Sequence, residues 1–81
     1  MDRQALRKRA HDLDVTVWVG AGGIDAVVDE LAGQLERRDL VKVRFLSAKG
    51  GGPSTDEQAE VLAERTGATL VETRGHTAVF H

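Results

Sequence analysis

Gly20, Ala21, Gly22 and Gly23 follow an apolar, β-branched run from Val15 to Val19 and precede a new amphipathic stretch, which sets a GxxG loop at a strand-to-helix junction. Glycine here permits positive φ and carries no Cβ to hold a ligand away, so phosphate or sugar can approach the loop amides and the N-terminus of the following helix. Backbone donors of this kind bind a polyanion without reading base identity. The same spacing also suits a tight βα turn in which the glycines only let helix and strand pack closely.

Other chemistries find no constellation. His11, His76 and His81 lack the H-x-x-x-H spacing and the acid pattern of a metal site. Ser47 and Ser54 flank a glycine-rich stretch with no histidine nearby in sequence. Asp25 and Asp29 stand one turn apart at a helix start, where capping and the helix dipole account for them better than acid–base catalysis. A G-x-G-x-x-G fingerprint is absent, because Asp25 stands three positions after Gly22, and no Walker lysine follows the loop. The chain has no cysteine, which removes disulfides, zinc–thiolate sites and thiol nucleophiles. No catalysed reaction, cofactor, metal or small-molecule substrate is expected.

The 81 residues suffice for one small domain, spanning 1–81, that buries roughly 60% of its unfolded surface. Aromatic residues are limited to Trp18, Phe45 and Phe80, which argues against recognition by several stacked bases. No apolar run approaches the ~18 residues of a membrane span, and the basic N-terminal stretch lacks the apolar core of a signal peptide. A soluble, cytoplasmic monomer is expected. The formal net charge of −2 argues against holding nucleic acid by bulk charge. Its distribution matters more: Arg3, Arg7, Lys8 and Arg9 crowd the N-terminal segment and Lys42 and Arg44 share a later one. Asp25, Asp29, Glu30, Asp56, Glu57, Glu60 and Glu64 load the two later amphipathic stretches. The pattern fits a basic side and an acidic side, or a mixed solvated surface.

Periodicity supplies the elements that position these groups. Leu6, Ala10 and Leu13 mark a short helix over residues 2 to about 12. Val15, Val17 and Val19 alternate with Thr16 and Trp18 in a strand. Asp25 reads as the N-cap of a helix to about residue 38, with Val27, Val28, Leu31 and Leu35 inward. Val41, Val43 and Phe45 alternate with Lys42 and Arg44 in a second strand over 40–46. Residues 47–55 read as a flexible loop ending in a capping box of Thr55 and Gln58, before a helix from 56 to about 66 that Gly67 stops. Residues 69–73 and 77–80 form a hairpin joined at Arg74, Gly75 and His76. At that tip Arg74 is a simple turn residue or a bidentate phosphate ligand. The order is αβαβαββ, an α/β fold with a mixed four-stranded sheet packed by helices.

In this order the segments resemble the CRM domain (chloroplast RNA splicing and ribosome maturation), whose stand-alone prokaryotic members are the YhbY-like proteins. The likeness rests on the basic first helix, VWVGAGGID for the strand and GxxG loop, DLVKVRF for the second strand, and ERTGATLVETRGHTAVF for the closing helix end and hairpin. It implies a fold like the C-terminal domain of translation initiation factor 3. It also implies RNA binding, with ribosomal RNA or the large-subunit precursor as partner for stand-alone members. Carried over by position, the RNA surface comprises Gly20, Ala21, Gly22 and Gly23, Lys42 and Arg44, and Arg74, Gly75 and Thr77; Arg3 and Arg7 on the basic first helix are expected to add charge around it. Ala21 and Gly22 stand where the family often has a polar or basic pair, so this loop offers backbone only. Phosphates are expected on the Gly22 and Gly23 amides and the N-terminus of the second helix. The alternative is a protein-interaction adaptor whose acidic helices meet a basic ribosomal or RNA-processing protein.

Overall fold

Alternating apolar residues build the sheet, and the helices divide unequally between its two faces. The computed structural model describes residues 3–20, 22–46 and 54–81. The elements are α1 (Arg3–His11), β1 (Val15–Val19), a 3₁₀ turn (Ile24–Val27), α2 (Val28–Leu35), β2 (Val41–Phe45), α3 (Thr55–Thr66), β3 (Leu70–Arg74) and β4 (Thr77–Phe80). The four strands lie in the order β1-β2-β4-β3. β1 and β2 run parallel, while β4 is antiparallel to both β2 and β3. The expected αβαβαββ order and mixed sheet are therefore present.

One face carries the main core. Val17 and Val19 from β1, Val41, Val43 and Phe45 from β2, and Ala78 and Phe80 from β4 meet Leu31 of α2 and Ala59 and Leu62 of α3. Leu31 and Leu62 are fully buried, each contributing about 2 kcal/mol by removal from water. Among the described residues the opposite face has only α1, whose Ala10 packs with Leu40, Val71 and Val79, beside the partly buried Leu13. The second core is small and lies towards β3 and β4.

The structure corrects several boundaries. Asp25 is not an N-cap: the chain leaves the loop through the 3₁₀ turn, Gly23 precedes it, and no side chain caps it. The α-helix proper begins only at Val28 and ends at Leu35, short of residue 38. The cap of α3 is Ser54 rather than Thr55, because the Ser54 Oγ accepts the Glu57 amide at 3.1 Å. Glu57, not Gln58, completes the local motif, with the Ser54 hydroxyl 3.4 Å from its carboxylate. Residues 47–53, expected as a flexible loop, lie outside the described residues.

Thr16 also departs from strict alternation. The β1–β2 register shifts between Val15 and Val17, so Val15 pairs with Lys42, and the Thr16 hydroxyl donates to Gln34 of α2 at 2.6 Å. The bulge lets a polar side chain cap the edge of the core. At the hairpin the turn narrows to Gly75 and His76, since Arg74 pairs with Thr77 as the last rung of the ladder. Gly75 has φ 58 and His76, like every non-glycine among the described residues, does not have positive φ, the pattern of a type II′ turn with glycine first.

The corrected cap has a measurable consequence. Ser54→Ala should lower unfolding free energy by about 1 kcal/mol in urea denaturation, whereas Thr55→Ala should change it by less than about 0.5 kcal/mol.

Candidate nucleic-acid interface

On the face opposite α2 and α3, strand register aligns one residue from each strand into a row. Trp18 pairs with Arg44, Arg44 with Thr77, and Thr77 with Arg74. At ~4.8 Å per strand the row spans roughly 14 Å. Behind it runs a second row, in which Lys42 pairs with Val79 and Val79 with Glu72. α1 covers the β3 end of these rows, so Trp18 and Arg44 stay exposed and Lys42 is half-buried.

Where α1 meets the sheet a cleft of about 250 Å³ opens, lined by His11, Lys42, Glu72, Arg74 and Thr77 over the buried Ala10 and Val79. The Arg74 Nη1 lies 2.8 Å from the His11 Nδ1. A guanidinium can only donate, so Nδ1 accepts and the ring proton belongs on Nε2, which faces the Glu72 carboxylate at 3.9 Å. The Thr77 hydroxyl donates to the Arg74 carbonyl at 2.8 Å and fixes the hairpin from within. This relay sets the Arg74 side chain against α1 and leaves its other N–H groups available. His11 also lines a groove along α1 with Gln4, Arg7 and Lys8, which joins the basic helix to the cleft.

The charges on this face have few internal partners. Arg9 pairs with Asp39 at 3.6 Å, but among the described residues no carboxylate forms an ion pair with Arg7, Lys8, Lys42 or Arg44. α2 and α3, on the far side of the sheet, carry Asp29, Glu30, Asp56, Glu57, Glu60 and Glu64 against the lone Arg65. Arg65 itself is paired with Asp25. The two layers thus differ in charge: carboxylates dominate α2 and α3, with Arg37 and Arg38 following α2, while cations outnumber the Glu72 carboxylate on the open face.

The GxxG loop closes the same end of the sheet. The Leu46 amide donates to the Val19 carbonyl at 2.9 Å, carrying the β1–β2 ladder up to Gly20. The Phe45 amide donates to the His76 carbonyl at 2.7 Å, which brings the Gly75–His76 turn to that end as well. Within the loop the Gly23 amide donates to the Gly20 carbonyl at 3.0 Å. That bond corrects one expectation, because the Gly23 N–H is engaged inside the turn and the 3₁₀ turn separates the loop from the start of α2. Gly23 needs glycine for its φ of 75, whereas a Cβ at Gly22 would meet only the Ala26 Cβ at an ordinary 3.7 Å. Gly22 is exposed, and packing does not explain its missing side chain.

Of the expected site residues, the fold gathers Gly20, Gly22, Gly23, Arg44, Arg74, Gly75 and Thr77 towards one end of the sheet, while Lys42 shares the face of Arg44 but lies towards the other end, opposite Val15, and Arg7 adjoins through His11. Ala21 and the Arg3 side chain lie outside the described residues. Three neighbours were not anticipated: Trp18, His11 and Glu72. Trp18 did carry a signal, as a large apolar residue on the outward parity of β1; the approach of His11 and Glu72 depends on how α1 crosses β3. No helix among the described residues is long and apolar enough to cross a membrane.

Comparison with known proteins fits this arrangement. The family model for the CRS1 / YhbY (CRM) domain matches residues 1–81. The chain belongs to the CRS1/YhbY (CRM) domain family. A Methanocaldococcus jannaschii relative, named as a probable RNA-binding protein, is 38% identical over 74 residues, covering 91% of this chain and 55% of the relative. The CRM domain described here thus spans about half the length of that protein. The solution structure of a Staphylococcus aureus protein put forward as an RNA binder superposes with a TM-score of 0.80 at 32% identity, covering 98% of this chain and 81% of that one.

The two loop glycines should separate on substitution. Gly23→Ala is expected to destabilise this CRM domain by about 1–2 kcal/mol, because alanine must adopt left-handed φ. Gly22→Ala should unfold within about 0.5 kcal/mol of the parent in the same urea titration.

Proposed function

We propose that this CRM domain binds RNA on the open half of its sheet, with phosphates drawn to Lys42, Arg44 and Arg74 and to the exposed backbone at Gly22. The observation that carries this reading is the segregation of charge. Lys42 and Arg44 have no ion-pair partner among the described residues, while the acidic helices lie on the opposite layer. A polyanion approaching the acidic side is repelled, and one approaching the sheet is attracted, so the field orients RNA although net charge is −2. Arg74 suits phosphate through its planar fork of donors, already aimed by His11.

The reading extends to structured ribosomal RNA in the large-subunit precursor, the target implied by the likeness to stand-alone YhbY-like proteins. Support for RNA as the ligand class comes from the family and from the relatives described as RNA binders. Gly20 and Gly23 shape the loop, Gly75 turns the chain between Arg74 and Thr77, and Arg3 and Arg7 add charge from the helix. Binding and release need no bond making or breaking, so no catalytic group is assigned.

Equilibrium binding to a ribosomal RNA fragment over a salt series tests the proposal. With about four phosphates neutralised, log affinity should fall against log salt with a slope of roughly −3 to −4. Arg44→Ala should weaken binding and reduce that slope by about 1, while Glu60→Gln on α3 should not weaken it. A flat salt profile would overturn the RNA reading and favour a protein partner for the acidic helices.

A further inference from the structure

We infer that Trp18 is a stacking platform for an unpaired RNA base, set beside the cation that takes the adjoining phosphate. The inference rests on the RNA reading above and assigns a part of the ligand that neither the glycine loop nor the basic residues recognise.

Trp18 is the sole tryptophan of the chain and is 56% exposed, on the edge strand β1 and on the face that α1 leaves uncovered. Burial there would have been favourable for so large a ring, and the fold supplies nothing to bury it. Its cross-strand partner is Arg44, exposed and without an ion pair among the described residues. An indole face and a guanidinium one strand spacing apart, ~4.8 Å, match the two chemical halves of a nucleotide, an aromatic base and a charged phosphate. Two residues further along, Gly20 carries no side chain to screen the ring from the loop side.

The surroundings favour a base over an apolar protein partner. Trp18 and Leu46, each 56% exposed, are the large apolar groups at this end, and Lys42 and Arg44 lie with them on the open face. Tryptophan and arginine serve protein interfaces too, but lysine is depleted there, whereas an exposed indole flanked by both Lys42 and Arg44 suits single-stranded nucleic acid, which is held by stacking on aromatic faces within a basic groove. Paired bases hide their faces within the helix, so the platform selects a loop, bulge or end of a structured RNA.

The chain contains no tyrosine, so its intrinsic emission reports on Trp18. The test uses a labelled stem–loop RNA with an adenosine-rich loop and the blunt duplex of the same stem, following RNA anisotropy and tryptophan emission together. The stem–loop should bind more tightly and quench emission, and the duplex should bind with little quenching. Trp18→Ala should weaken stem–loop binding by roughly 10- to 100-fold, leave duplex binding unchanged, and retain the parent circular dichroism, with Trp18→Phe recovering most of the loss. Stem–loop binding without a change in emission, or equal weakening of both RNAs in Trp18→Ala, overturns the stacking role while the RNA reading stands. Absence of binding to either RNA by anisotropy overturns both.

Discussion

A four-stranded sheet has two faces to shield, and the described residues supply three α-helices with which to shield them. α2 and α3 take one face entirely, closing over Val17, Val43, Phe45 and Phe80. α1, nine residues and therefore about 13 Å long, is left for the other and reaches only the β3–β4 half. Among the described residues nothing else covers that side of β1 and the adjoining part of β2, where Trp18 and Arg44 stay exposed. Arg44 satisfies the constraint exposed and Lys42 half-buried, and their alternation with the buried Val41, Val43 and Phe45 is the same pattern that fixes the strand's register. The basic face is thus a by-product of how the core is closed.

The same asymmetry explains the sidedness of charge. Helices with one apolar stripe need polar outer faces, and on α2 and α3 these are predominantly carboxylates, some in first turns where they complement the helix dipole. α1 instead carries arginines and lysine, with basic residues in its last turn. Its apolar anchorage through Ala10 and Leu13 is slight, and the contacts that position it further, Arg9 with Asp39 and His11 with Arg74 and Glu72, are exposed or half-buried. Such surface pairs contribute little to stability. Their larger effect is orientational, holding the Arg74 guanidinium at the margin between helix and open sheet.

Much of this was legible in the sequence because it follows from period and punctuation. The alternation in β2 identified both the core face and the basic face, and Gly67 marked the end of α3 because only a left-handed residue turns the chain there, at φ 74. Caps were less legible. Ser54 and Thr55 are both good N-caps, and only the hydrogen bond to Glu57 distinguishes them. Asp25 looked like a cap since nothing in the sequence announces a 3₁₀ turn between a loop and its helix, and the ion pair with Arg65 that occupies it depends on how α3 lies against that turn. Thr16 misled for a similar reason: a bulge is decided by which side chain finds a partner, here Gln34, eighteen residues away. The His11–Arg74 contact, across sixty-three residues, had no local signature at all.

The glycine loop therefore divides its labour differently from what its motif suggests. Gly23 is committed to the fold twice, through its φ and through its amide, so it builds the turn and offers nothing to a phosphate. Gly22 is committed to neither, and in the RNA reading proposed above its exposed backbone is the part assigned to phosphate. A single stretch of bare backbone gives a phosphate contact of modest strength and no discrimination between bases. Orientation must then come from the charged row beside it and selectivity from a group with a face of its own. On this side of the sheet, Trp18 is the exposed aromatic among the described residues, two positions before the loop begins.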